Sequence, residues 1–191
     1  MEKIKRGEES IWNLPNALTG LRIFLAPVIV LLLLKENRFK NRLAALAVGA
    51  AALTDFLDGH LARKHGQETR LGEFMDPLAD KVIISASFVI LAVRKRVPGW
   101  APGIIIGREA AITLFRIYAG ARGASVPASI WGKLKMNSQL FALVLSILDD
   151  DGTSHEDIKK AALVLTVILT LYSGLDYLIK AGKYLDTSEE S

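Results

Sequence analysis

Leu14-Pro-Asn-Ala-Leu-Thr-Gly-Leu-Arg-Ile-Phe-Leu-Ala-Pro-Val-Ile-Val-Leu-Leu-Leu-Leu34 sets the class of this chain. Its 21 residues hold one charge, Arg22. As a helix they reach about 31 Å, enough to cross the hydrocarbon core of a bilayer. A cleaved signal peptide is the competing reading. The length of the stretch, Pro27 within it, and the lack of a small-residue cleavage site before Lys35 and Glu36 argue for a retained span. Five more apolar blocks follow, at residues 43–61, 77–93, 98–118, 134–148 and 161–179. Charged, turn-rich punctuation such as Arg94-Lys95-Arg96 and Asp149-Asp150-Asp151-Gly152 separates them. The expected fold is all-α. A single polytopic membrane domain covers residues 1–191, with six transmembrane helices, short loops, and polar tails at 1–10 and 186–191.

Composition narrows the chemistry. The 191 residues include no cysteine, which excludes disulfide scaffolds, thiolate metal sites and cysteine nucleophiles. A net charge of +4, scattered along the chain, is too small to argue for nucleic acid and suits anionic lipid headgroups or phosphorylated substrates. Six spans put both termini on one side. Lys and Arg are slightly more numerous there, which predicts a cytoplasmic N-terminus in the cell membrane. Trp12, Trp100 and Trp131 fall at span ends and read as interfacial anchors.

Charges inside the spans need a reason, since each costs at least about 2.5–3.5 kcal/mol near the bilayer centre. The second and third blocks carry Asp55, Asp58, Asp76 and Asp80 at their facing ends, with Arg63 and Lys81 close by. Asp55 and Asp58 lie about 60° apart on a helical face, and Asp76 and Asp80 share a stripe one turn apart. Two acidic pairs that converge must either take up protons or hold cations between them. With no His or Cys on the stripe, the suitable cations are hard: Mg²⁺, Mn²⁺ or Ca²⁺. His60 falls off that stripe, and Lys81 reads as a neutralising neighbour of the aspartates. Gly59 and Ala62 either allow close helix packing or leave room for a ligand to reach the backbone.

The whole pattern is Asp55-x2-Asp58-Gly59-x2-Ala62-Arg63-x8-Gly72-x3-Asp76-x3-Asp80. It resembles the signature of the CDP-alcohol phosphatidyltransferase family at every fixed position. Asn13-Leu14-Pro15-Asn16-Ala17-Leu18-Thr19, Asp76-Pro77-Leu78-Ala79-Asp80-Lys81, Gly107-Arg108-Glu109 and Gly132-Lys133-Leu134-Lys135 look like the bacterial branch that makes phosphatidylglycerophosphate. The resemblance runs from Asn13 to about Leu148; the last span carries no motif.

The resemblance implies a homodimeric six-helix membrane enzyme whose site opens to the cytoplasm. It would move the phosphatidyl group of CDP-diacylglycerol to sn-glycerol 3-phosphate and release CMP. In the family the four aspartates bind one or two divalent metals, Mg²⁺ or Mn²⁺, and the last of them, here Asp80, is the general base. Gly59, Ala62, Arg63 and Thr69 carry over as nucleotide and diphosphate contacts, with Asn16 and Thr19 beside them. Arg63 has a plainer reading as a cation at a helix C-terminus. For the acceptor phosphate the candidates are Arg108, Arg116, Arg122, Lys133 and Lys135. An intramembrane pair with Glu109 alone would also explain Arg108, and lipid headgroups would also explain Lys133 and Lys135. Within the same fold, a cardiolipin-forming enzyme that takes phosphatidylglycerol as acceptor is the alternative. From another class, a divalent-cation carrier would place its acids at mid-depth on several helices, whereas here they crowd one end of two.

Overall fold

The computed structural model describes the backbone of residues 14–65, 70–121, 129–149 and 156–189, and the side chains of 20–54, 80–120, 129–149 and 156–182. Among the described residues the fold is all helical, with no strand. Its helices are α1 (Leu14–Leu33), α2 (Arg38–His65), α3 (Arg70–Val93), α4 (Trp100–Ala121), α5 (Ile130–Leu148) and α6 (Glu156–Glu189). α1 packs on α2 and α3; α5 packs on α2, α3 and α6; α4 lies against α3 and α6.

The helices overrun their apolar blocks because polar flanks cap and extend them. α2 starts at Arg38 rather than residue 43, since Asn37 Oδ1 accepts the amides of Phe39 at 2.9 Å and Lys40 at 3.3 Å. α3 starts at Arg70 rather than residue 77, so Asp76 sits within the helix and not at its mouth. α5 is capped by Ser129, which accepts the Trp131 amide at 3.3 Å. α6 opens with Glu156 and Asp157, carboxylates placed favourably at the positive end of the helix dipole.

By length and composition, one described helix is apolar enough to cross a membrane, at Glu156–Gly182. Gly20–Leu33 is apolar but shorter. The expected six-helix, all-α architecture is present, and one of its helices is by itself clearly long and apolar enough to span. Of the other helices, α3, α4 and α5 carry charges part-way along, among them Asp80 and Lys81 on α3, Arg108, Glu109 and Arg116 on α4, and Lys133 and Lys135 on α5. Every helix nonetheless presents large apolar side chains outward: Phe24, Leu46, Val89, Leu114, Phe141 and Leu165 are examples, one from each in order.

Between the helices the core is apolar and finely divided. Ile29, Leu33, Val48, Phe88, Leu91, Ile105, Leu143 and Ile147 fill it, and Ala44, Ala101 and Ala142 let the backbones approach. Two of the buried hydroxyls are satisfied locally and across helices, while Ser87 Oγ and the Tyr177 hydroxyl are enclosed without a hydrogen bond. Ser146 donates to the Ala142 carbonyl at 2.7 Å, and Thr166 donates to the Ser138 carbonyl at 2.9 Å, tying α6 to α5.

The end of α3 is a Schellman turn. The Lys95 amide donates to the Ala92 carbonyl at 3.0 Å and the Arg96 amide to the Leu91 carbonyl at 2.8 Å. Lys95 takes the left-handed position with φ 56°, where glycine is preferred. Lys95→Gly should stabilise the protein by about 1 kcal/mol, since a left-handed side chain carries a cost of that order. An apparent unfolding temperature in detergent higher by a few degrees would report it.

Candidate active site

α1 and α3 meet over a buried ion pair. The Arg22 side chain has no exposure, and its Nη1 lies 3.3 and 3.4 Å from the two Asp80 carboxylate oxygens. Asp80 is itself mostly buried. A guanidinium enclosed among apolar side chains requires a counter-charge, and α3 supplies it one turn beyond Asp76. Lys81 turns the other way. Its ammonium donates to the Thr113 hydroxyl on α4 at 2.6 Å, so the described neutralising partner of Asp80 is Arg22, not Lys81.

Next to this pair lies a cavity of about 390 Å³ between α3, α4, α5 and α6. Among the described residues, five cations line it, Lys81, Arg108, Arg116, Lys133 and Lys135, with two carboxylates, Asp80 and Glu109. Glu109 organises the wall. It accepts from Arg108 Nη1 at 3.0 Å and from the Lys135 ammonium. Lys135 is buried even though it stands in the second turn of α5. Arg116 and Lys133 are more open, and the Arg116 guanidinium lies 5.4 Å over the ring of Tyr177.

α6 contributes contacts that no motif announced. Arg108 Nη2 donates to the Ser173 hydroxyl at 2.9 Å, and Gly174 gives the same side chain its space. A Cβ at Gly174 would stand 3.3 Å from Arg108 Cγ and 3.4 Å from Nε. Tyr177 closes that side of the cavity, edge-on to Phe115. Ser129 donates to Asp176 at 2.6 Å, and Lys180 pairs with the same carboxylate, which fixes the start of α5 on α6. A glycine and a hydroxyl in an apolar helix could have been suspected as a contact for an arginine; Tyr177 carried no signal.

Of the residues singled out in the sequence, Asp80, Arg108, Arg116, Lys133 and Lys135 line this single cavity. Asp55, Asp58, Gly59, Ala62 and Arg63 fall on α2, Asp76 on α3, and Asn16 and Thr19 on α1, but their side chains lie outside the described residues. Thr69 and Arg122 lie outside the described residues altogether. Of the tryptophans, Trp100 is exposed at the start of α4, Trp131 packs edge-on against Tyr172, and Trp12 lies outside the described residues. Among the described residues no three His, Cys, Asp or Glu gather as a metal site. The donor chemistry of the aspartate quartet does suit a hard divalent cation: it offers only carboxylate oxygens.

Comparison with known proteins shows the family of the chain. The family model for CDP-alcohol phosphatidyltransferases matches residues 12–172. A probable phosphatidylglycerophosphate synthase of Mycobacterium tuberculosis is 37% identical over 181 residues, covering 92% of this chain and 84% of the relative. CDP-diacylglycerol–glycerol-3-phosphate 3-phosphatidyltransferases of Rickettsia felis and Bacillus subtilis are each 34% identical. Those alignments cover 90% and 93% of this chain, and 97% and 100% of the relatives. With its signature intact and the match spanning most of its length, the chain belongs to the CDP-alcohol phosphatidyltransferase family.

Proposed function

We propose that the protein transfers the phosphatidyl group of CDP-diacylglycerol to sn-glycerol 3-phosphate, giving phosphatidylglycerophosphate and CMP. One observation carries the reading: Asp80 and the cations Arg108, Arg116, Lys133 and Lys135 line the same cavity. A phosphate monoester held by those cations leaves its hydroxyl free to reach Asp80. The names of the relatives from Rickettsia felis and Bacillus subtilis support the same donor and acceptor. A phosphodiester acceptor such as phosphatidylglycerol carries one charge fewer and would leave so cationic a pocket under-matched, which favours glycerol 3-phosphate over cardiolipin formation.

In the reaction, the acceptor hydroxyl oxygen attacks the β-phosphorus of CDP-diacylglycerol. The bond from that phosphorus to the bridging oxygen breaks, and its electron pair leaves with CMP. Asp80 takes the hydroxyl proton, and Arg22 holds that carboxylate in place. Arg108 and Lys135, fixed by Glu109 and Ser173, orient the acceptor phosphate; Arg116 and Lys133 complete its charge match at the open side. Gly59, Ala62, Arg63 and Thr69, with Asn16 and Thr19, bind the nucleotide and diphosphate. Asp55, Asp58, Asp76 and Asp80 would hold one or two Mg²⁺ or Mn²⁺ ions, which when bound draw charge off the diphosphate.

The setting is a cell membrane crossed six times. Support comes from the large apolar side chains that all six helices turn outward, more than a soluble monomer exposes. The cavity end faces the cytoplasm, where the water-soluble acceptor and CMP are found, and the enzyme works as a homodimer, as the family resemblance implies.

Asp80→Asn should lower turnover by at least about 10²-fold, the usual contribution of a positioned base, while CDP-diacylglycerol binding persists. Lipid-product analysis beside a binding assay reads both, and retained turnover would remove Asp80 as the base. Gly174→Ala crowds Arg108 without touching substrate. It should raise KM for glycerol 3-phosphate about three- to tenfold with a smaller change in kcat, the pattern of weakened acceptor binding. An unchanged KM would detach Arg108 from the acceptor phosphate.

A further inference from the structure

Lys81 follows Asp80 on α3, is half-buried, and lines the same cavity. Its ammonium donates to the Thr113 hydroxyl on α4 at 2.6 Å. That hydroxyl gives its own proton to the Glu109 carbonyl at 2.7 Å, so a lone pair is what it offers Lys81. The contact fixes the ammonium on the cavity wall and uses one of its three donors. A neutral hydroxyl does not balance its charge.

Among the described residues no carboxylate pairs with Lys81. Asp80 answers Arg22. Glu109 acts on Lys81 through space, but its Oε1 already accepts from Arg108 Nη1 at 3.0 Å and from the Lys135 ammonium. The three less exposed cations of the wall, Lys81, Arg108 and Lys135, therefore share one carboxylate, which leaves two positive charges over. Arg116 and Lys133 are exposed, where water can solvate them. A second cavity, of about 350 Å³ between the α1–α2 turn, the α3–α4 turn, the end of α5 and the start of α6, differs: there Arg94 pairs with Glu36 and Lys159 with Asp149. Charge held away from water without a counter-ion is costly. A phosphate monoester, close to a dianion at neutral pH, matches both charges left over on the wall of the larger cavity.

We propose that Lys81 binds the phosphate of the acceptor, as a cation contributed by α3, and that Thr113 is the positioning residue that holds its ammonium in place. Successive side chains diverge by about 100° around a helix. Asp80 accordingly meets Arg22 on α1 while Lys81 meets Thr113 on α4. Two consecutive residues thereby take the two ends of one small molecule, Asp80 the hydroxyl and Lys81 the phosphate. A charge-assisted bond from an ammonium to a phosphate oxygen is among the stronger polar contacts, so Lys81 contributes to affinity as well as to orientation. The identity of the acceptor rests on the transfer reading, whereas binding of a phosphate monoester at this wall does not.

The test uses the full chain in mild detergent, as wild type, Lys81→Met and Thr113→Val. Lys81→Met keeps an unbranched apolar stem and removes the charge; Thr113→Val keeps the branched shape and every charge, and removes only the hydroxyl. Calorimetric titration with glycerol 3-phosphate reads binding without catalysis, and steady-state kinetics separate KM from kcat. Lys81→Met should weaken binding and raise KM by about tenfold or more, with kcat changed by less than about threefold. Thr113→Val should raise Kd and KM by about threefold, again with little change in kcat. Unchanged affinity and KM in both variants overturn the proposal. So does a collapse of kcat at constant KM in Lys81→Met, which would assign Lys81 to proton transfer at Asp80 instead. Should Lys81→Met fail to fold, Thr113→Val decides, and an unchanged Kd in that variant counts against the site. Wild type that binds glycerol 3-phosphate in a Lys81-dependent way but turns nothing over would sink the transfer reading and keep the phosphate site; wild type that does not bind it overturns the site.

Discussion

A guanidinium with no exposure must find its counter-charge inside the bundle, and Arg22 finds it in Asp80. That pairing joins α1 to α3 across 58 residues of sequence and sets the orientation of the carboxylate at the edge of the larger cavity. Breaking such a pair from either side would leave a buried charge unmatched, at a cost of about 3–5 kcal/mol. Two elements that would otherwise slide on apolar contacts are therefore held in one register. The remaining helices arrange their own charges around that fixed point.

The same rule operates on the neighbouring helices in a more elaborate form. Glu109 on α4 meets Arg108 beside it and Lys135 from α5, while Ser173 on α6 takes the other end of the Arg108 guanidinium. Three helices are thus tied through one carboxylate and one arginine. Among the described residues the buried charges gather toward the two ends of the helices, and the middle is filled mainly by Ile29, Phe88, Leu91, Ile105 and Leu143, with Gln139, Thr166 and Thr170 the buried polar groups between α5 and α6. Each end has a cavity lined by cations, and α6 reaches both.

Much of this was legible in the sequence because it is local. Apolar blocks of helical length gave six helices, and the fixed spacing of the aspartates with the Gly107-Arg108-Glu109 and Lys133-x-Lys135 runs gave the polar residues of the larger cavity. Helix ends were less legible, since Asn37 and Ser129 cap the chain outside the apolar blocks. Partners distant in sequence were not legible at all. Arg22 stood out as a lone charge, but nothing nearby said that Asp80 would answer it. Ser173, Gly174 and Tyr177 look like ordinary members of an apolar helix until Arg108 is laid against them.

Glu109 has a kinetic consequence. Because it already occupies Arg108 and Lys135, the cationic wall does not repel itself apart while vacant, and a newcomer displaces a resident carboxylate instead of condensing on bare charge. In the proposed reaction the product keeps the same terminal phosphate as the small acceptor, so an unopposed grip would retain it. A built-in competitor would temper that grip and hasten departure, trading some affinity for throughput.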